Sequence, residues 1–465
     1  MHRSRRALRL EPPARAVAAA PARAPAPAGW LLVPLILALL ALPLLVRAEP
    51  WTLERAVAAA LEHSPDARLA RARAAGADAL VEQARAAWYP QVSVQGRYTG
   101  TDSPMMAFGA ILNQRAFNFG LDFNHPGRID DLNATGTVAY NIYSGGRAAA
   151  GLAAARGGAR AAQEDLRAAR DQLGLEVVKA WLNIRKAREA EAAVAAGVKA
   201  YTAAVSAARA RFEAGGLIRS ALLSLEVQLA QTRADLAAAR HGAALADRAF
   251  LFALGLDASA GAVEIAVDDP ALAALAAPET GDFSRRPELI GLQERVRAAE
   301  AMVRAARGGR LPSVNAFASA QTDRGWQTGR SGNSWMAGVS VDLAVFDGGQ
   351  TAGRVHQAAA EFAQVQEMLR KAELGIALEV EQARLAHADA VERLAVTSDA
   401  VAQAEESAAL SRARFEQGAL LTADLIGVEG RLIEARMRRA VAAADERLAL
   451  AELRRALGLA PVPQP

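Results

Sequence analysis

The chain has no cysteine, which excludes disulfides, thiolate metal sites and a lipid-bearing cysteine at its start. Aromatics are only 5% of residues, while alanine dominates the 52% that are hydrophobic. There is no Gly-x-x-x-x-Gly-Lys-Ser/Thr loop, so no sign that the chain hydrolyses nucleotide. Gly-x-Ser-x-Gly and His-Glu-x-x-His are missing too, and the six histidines show no metal-ligand spacing. These absences leave an enzyme reading with no residues to stand on, and no cofactor or metal site is expected. Long stretches also lack proline, above all Arg147 to Phe212. The formal charge of +4 misleads, because residues 1–48 alone carry seven Arg and one Glu. The remainder is slightly acidic and gives no argument for nucleic acid.

What the chain does have, it has twice. Ser144-Gly145-Gly146-Arg147 returns 203 residues later as Asp347-Gly348-Gly349-Gln350. Arg209-Ala210-Arg211-Phe212-Glu213-Ala214-Gly215 returns at the same offset as Arg412-Ala413-Arg414-Phe415-Glu416-Gln417-Gly418. Upstream, Pro65 and Pro90 return as Pro287 and Pro312 at an offset of 222, so copy one carries 19 extra residues between Pro90 and Gly145. A shared offset over more than a hundred residues indicates one unit built twice.

Residues 1–48 combine a basic start, an apolar run from Trp30 to Val46 and small residues around Ala48, the pattern of a secretory signal peptide. An uncleaved anchor is the other reading of that run. The first repeat is expected over 49–256, a linker over 257–284, the second repeat over 285–459 and a tail over 460–465. Within each repeat the period changes from helical to two and back. Val92, Val94 and Tyr98 alternate with polar residues after Pro90, and Val138, Tyr140 and Ile142 do so before Gly145-Gly146. Trp335, Ala337, Val339, Val341, Leu343 and Val345 alternate before Gly348-Gly349. β-hairpins are therefore expected over about 91–143 and 313–346. Gly100 to Asp131 reads as a long loop with apolar patches, and Thr322 to Asn333 as a polar one. Long helices are expected over 147–212 and 349–415, with return helices over 217–254 and 420–457.

Heptads run along the first long helix, with many small knobs that let helices approach closely. At about 1.5 Å per residue this helix is roughly 100 Å long, far longer than its return helix. A coiled-coil helix needs a partner along its whole length. The short helix before each hairpin supplies the missing part, so the two short helices stack end to end beside the long one. Of the 23 aromatics, 13 fall within 88–143 or 312–346, the hairpins with their entries. Trp88, Tyr89, Tyr143, Trp335 and Phe346 at strand ends suit an interfacial aromatic belt. Four membrane strands cannot close a barrel, and open edges do not survive in lipid. Three chains would give twelve strands.

The chain resembles the TolC family of outer membrane efflux proteins. The resemblance covers about Trp51 to Leu459. It rests on the duplication, the Tyr89-Pro90 and Leu311-Pro312 hairpin entries, the Gly-Gly exits and the paired Arg-x-Arg-Phe-x-x-Gly turns. It implies a mainly helical fold with membrane β: duplicated coiled-coil hairpins forming an α-barrel, and a twelve-stranded β-barrel closed by a homotrimer in the outer membrane of a Gram-negative bacterium. It further implies a passive duct, serving tripartite efflux or type I secretion, that a periplasmic adaptor opens. The inner membrane partner would be an RND, ABC or MFS transporter. The turns bearing Arg211, Phe212, Gly215, Gly216, Arg414, Phe415 and Gly418 would dock the adaptor. Asp424, six residues after Gly418, matches an acidic residue lining the tunnel entrance. The further acid some members carry is Gly427 here, and the copy-one position matching Asp424 is Ala221. Two other classes stay open at this point: an anchored periplasmic coiled-coil scaffold, and an adaptor itself.

Overall fold

A computed structural model describes residues 50–258, 263–266, 276 and 281–462. The expected signal peptide at 1–48 and much of the linker lie outside the described residues. Two short helices open the chain, α1 (Leu53–His63) and α2 (Pro65–Arg85). Thr52 and Ser64 cap them, each hydroxyl accepting from a first-turn backbone N–H, and Pro65 starts α2 where no N–H is needed. After a tight turn come β1 (Gln91–Thr101), helix α3 (Pro104–Asn113) and β2 (Ile129–Tyr143). The long helix α4 (Arg147–Glu213) turns into α5 (Arg219–Ala253). The second copy repeats the plan with α6 (Pro287–Arg307), β3 (Ser313–Arg324), β4 (Ser331–Asp342), α7 (Gln350–Glu416) and α8 (Thr422–Ala456).

The packing follows the length argument. Helices α2 and α5 both lie along α4, while α6 and α8 both lie between α4 and α7. Each level of the rod is therefore a row of four helices, with α4 inside it and α7 at one edge. Small residues permit the close approach: Gly157 of α4 sits against Ala298 of α6, and Gly197 against Ile433 of α8, with no space for a Cβ at either. Outside the row, α1 packs on α4 over a core of Leu53, Val177, Trp181, Ile184 and Phe250. Trp51 lies before the helix, pairs with Ile265 of the linker and sets its ring edge-on to Phe250.

The four strands form one antiparallel sheet in the order β1-β2-β3-β4. Two expectations change here. The loop expected from Gly100 to Asp131 contains helix α3, which Pro104 starts and whose Ala107 and Ile111 are buried. The polar loop expected from Thr322 to Asn333 shrinks to six residues, because cross-strand pairing continues to Arg324↔Ser331. Strand β4 correspondingly begins before Trp335 and ends at Asp342, leaving Leu343 and Val345 beyond it.

Candidate functional site

Residues paired across an antiparallel ladder share a face of the sheet, so the register assigns every side chain. One face carries Val92↔Val138, Tyr98↔Leu132, Val138↔Ala318, Tyr140↔Ala316, Ala318↔Ala337, Ala316↔Val339 and Val314↔Val341. The opposite face carries Gln95↔Thr135, Arg97↔Asn133, Thr135↔Gln321, Asn133↔Asp323, Asn141↔Asn315 and Asn315↔Ser340. On the polar face Asn133 donates to Asp323 at 2.8 Å and Asn141 to Asn315 at 2.6 Å. An apolar face whose Val92, Val94, Val339 and Val341 are exposed is unusual for a sheet facing water. It is what a strand needs between lipid and an aqueous lumen. Among the described residues, nothing pairs with the outer edges of β1 and β4.

The aromatic positions divide between the ends of the sheet. Trp88, Tyr89, Tyr143 and Phe346 lie at the end nearest the helical rod, all exposed. A bulge between Asn141 and Tyr143 pairs Tyr143 with Val314 and so turns it to the apolar face. Trp335 lies within β4 toward the other end, where Tyr98 and Trp326 also meet edge to face at 5.6 Å. Pro90 and Pro312 immediately precede β1 and β3. Gly145, Gly146, Gly348 and Gly349 all have positive φ, which lets the chain leave the strand and enter the long helix. Gly145 packs directly on the Gly308 backbone, whereas Gly348 faces open space.

At the far end of the rods lie the two helical turns. Each ends its long helix with the same paired bonds: Gly215 N–H to Phe212 and Gly216 N–H to Arg211, then Gly418 N–H to Phe415 and Ala419 N–H to Arg414. Only Gly215 and Gly418 need the left-handed backbone, and the partner of Gly216 in copy two is Ala419. The ion pair Arg209–Glu226 at 2.7 Å has its counterpart in Arg412–Glu429, two hydrogen bonds of 2.5 and 2.8 Å. Hydrogen bonding to buried Glu429 raises the Arg412 pKa.

The structure joins the two turns through residues the sequence alone did not single out in that role. Arg211 donates to the Phe415 carbonyl at 2.9 Å and lies 5.4 Å from the centre of its ring. Tyr201 of α4 donates to the Ile426 carbonyl of α8 at 3.0 Å. Burial and the nearby Glu429 push the Tyr201 pKa up to about 12, so it remains a donor. Phe415 is 1% exposed and belongs to the core with Leu222, Leu225 and Leu425; Phe212 is 38% exposed. Arg414 is exposed. Asp424 is exposed in the first turn of α8, where a carboxylate suits the helix N-terminus. An open groove of about 1090 Å³ runs between α4, α5, α7 and α8, on a different face of α4 from Trp181.

Nothing here assembles a catalytic constellation. Among the described residues no group of His, Cys, Asp or Glu has metal-ligand geometry, and no helix is long and apolar enough to cross a membrane. What the geometry defines is a two-faced sheet with open edges, carried on a rod of long helices: the class of membrane-embedded ducts. The family model described as outer membrane efflux protein matches residues 56–256 and 283–459. The chain belongs to that family, and is an outer membrane protein rather than an enzyme.

Its curated relative, outer membrane efflux protein BepC of Brucella suis, is 26% identical over 250 residues, covering 50% of this chain and 52% of that protein. The match thus spans about half the length of the relative. Among solved structures, the outer membrane protein VceC of Vibrio cholerae superposes with a TM-score of 0.72 at 19% identity, over 87% of this chain and 96% of the other. The CmeC outer membrane channel of Campylobacter jejuni does so with a TM-score of 0.74 at 15% identity, over 89% and 86%.

Proposed function

We propose that three copies close a twelve-stranded barrel in the outer membrane and a helical tunnel below it, forming a passive exit duct. The observation that carries this reading is the register: one face apolar, one polar, and both edge strands open. An open edge in lipid costs several kcal/mol for each unsatisfied backbone group, so β1 of one copy must pair with β4 of the next. In such a ring the surfaces along α2, α5 and α7 are also covered. The duct works with an inner membrane transporter of the RND, ABC or MFS type, which supplies the energy, and with a periplasmic adaptor that engages the turns. Arg211, Phe212, Gly215, Gly216, Arg414 and Gly418 shape that docking end, and Phe415 supports it from beneath. Asp424, repeated three times about the axis, would place a ring of carboxylates at the tunnel entrance, attracting cations.

The first test is the mass of the detergent-extracted particle by native mass spectrometry. A trimer of chains beginning near Glu49 is expected; a detergent-free monomer, or a dimer retaining residues 30–46, overturns the barrel. The second is export by cells whose chain lacks both turns (residues 212–219 and 415–422). Loss of export with the trimer intact is expected, and normal export would remove the docking role.

A further inference from the structure

The insertion in copy one has a definite seat. Gln114, at the end of α3, is fully buried; its amide donates at 2.8 Å to the Asp130 carbonyl and to the Asp131 carboxylate, and its oxygen accepts from Thr328 at 2.7 Å. Arg115, in a left-handed backbone conformation, donates to the Asn333 carbonyl at 3.3 Å. Gly332 packs directly under the Asn113 carbonyl, and Gly325 under the Gln114 side chain, each with no room for a Cβ. The helix thus reaches from its own hairpin across to β4 of the second. It lies on the polar face, because Asp131, Asp323 and Gly332 all belong to that face, and it buries Asp323 and Gly332.

We propose that α3 is an inner constriction at the outer mouth of the barrel, a size filter on what leaves the duct. This rests on the duct reading, and simple geometry supports it. Twelve strands about 4.8 Å apart and tilted by about 40° give a backbone circle roughly 24 Å across. A helix with its side chains is about 10 Å thick, and three such cylinders nearly fill that circle. Met105 on α3 and Phe119 in the segment after it are exposed, and they offer apolar surface for three such insertions to bury against one another at the axis. Behind them Phe108, Phe117 and Phe123 brace each insertion with ring centres 4.8 to 6.2 Å apart. A constriction here sits at the opposite end of the duct from the turns, so it restricts exit whatever the state of the periplasmic entrance.

The absence of native cysteine makes the test clean. Ser319→Cys places a thiol on the polar face below α3, opposite Thr137 and Met336. Intact cells carrying it are treated from outside with a small charged maleimide, or with a maleimide on a bulky polyethylene glycol. Two further variants are compared: Gln114→Ala, and a hairpin in which residues 102–128 are replaced by a short turn. All are first checked for an assembled trimer. The small reagent is expected to label every variant. The bulky one should label the parent slowly and both variants at least about tenfold faster, since losing the buried Gln114 bonds raises the population of lifted helices by that order. Equal labelling of the parent and the shortened hairpin by the bulky reagent overturns the filter. If Ser319→Cys resists even the small reagent while Val339→Cys reacts, the faces are reversed and the duct reading itself falls.

Discussion

The two copies of the duplicated unit are closest in sequence spacing and furthest apart in environment. Both long helices have 67 residues and both return helices 35. Yet α4 buries Leu173, Val177, Trp181, Ile184, Tyr201 and Val205, while α7 buries a scattered Ile376, Val380, Val401 and Phe415 with a few alanines. Trp181 is fully buried, and its counterpart 203 residues on is the exposed Arg384. The difference follows from position. Helix α4 is covered by α1, α2, α5, α6 and α8, whereas α7 packs mainly on α6 and α8. A repeated backbone plan tolerates this because a heptad fixes where knobs fall, not what meets them. The exposed side of α7 still carries Leu374, Leu378 and Leu385 at helical spacing, which a solvated face does not need.

The sharpest way to break the comparison is to treat α7 as a surface. Leu378→Asp with Leu385→Asp should leave a lone chain folded but abolish assembly, seen as loss of the trimer by native mass spectrometry. A desolvated, unpaired carboxylate costs several kcal/mol, and three interfaces would each hold two. Retention of a stable trimer would show that α7 faces water or lumen. The matching change inside the chain is Trp181→Ala, whose core is closed within one chain by both repeats, with Leu450 and Ala451 from the second. It should lower stability by about 3–5 kcal/mol, the cost of a large cavity, in monomer and assembly alike.

The turns give a finer contrast. Arg412→Ala strands a Glu429 carboxylate that is 2% exposed, and should cost about 2–4 kcal/mol. Arg209→Ala breaks the counterpart pair, which is largely in water, and should cost less than about 1 kcal/mol. Denaturant midpoints of the two variants decide between them. Equal losses would mean that Glu226 is also covered, by a neighbouring copy.

The sequence was most legible where local chemistry decides structure. Proline entries, positive-φ glycine exits and the change of period mark the strands, and the common offset shows that the unit recurs. The lengths of the helices also carried their stacking, because a long rod must be covered along its length. What stayed hidden depends on partners distant in the chain. Helix α3 sits in a segment rich in Gly, Pro and Asn, and it is held by Gln114 meeting Thr328 across more than two hundred residues. The exposures of Phe212 and Phe415 could not be told apart from the Arg-Ala-Arg-Phe-Glu that both share. Nor does any local signal tell that Arg211 belongs to the opposite turn. The left-handed turn at Gly215 was visible, but that Gly216 needs no such freedom shows only from its partner Ala419.

An effect smaller than that of Arg412→Ala separates the copies by pH. Asp171 of α4 lies near a cluster contributed by copy two: Arg286, buried, bonds Glu288 at 2.9 Å and Glu379 at 2.6 Å, and Arg455 bonds Glu379 at 2.6 Å. Its counterpart in α7 is Leu374, on the open side. Burial, and then the Glu288 charge, push the Asp171 pKa up to about 6, against the pull of Arg455 and Arg286. A carboxyl with a raised folded pKa favours the folded state when protonated. Its contribution is therefore fullest at low pH and is lost as pH rises from about 4 to about 6, so the ionised group opposes folding at pH 7. Asp171→Asn should remove that loss and raise stability at pH 7 by about 1–2 kcal/mol, allowing for solvent screening of a partly exposed group. Below pH 4 the substitution should change little. Thermal unfolding across that range separates this from a packing effect, which would shift all pH values alike. A loss of stability at pH 7 that fades as pH falls would mean instead that the copy-two arginines hold Asp171 ionised, and that the cluster is balanced across the two copies.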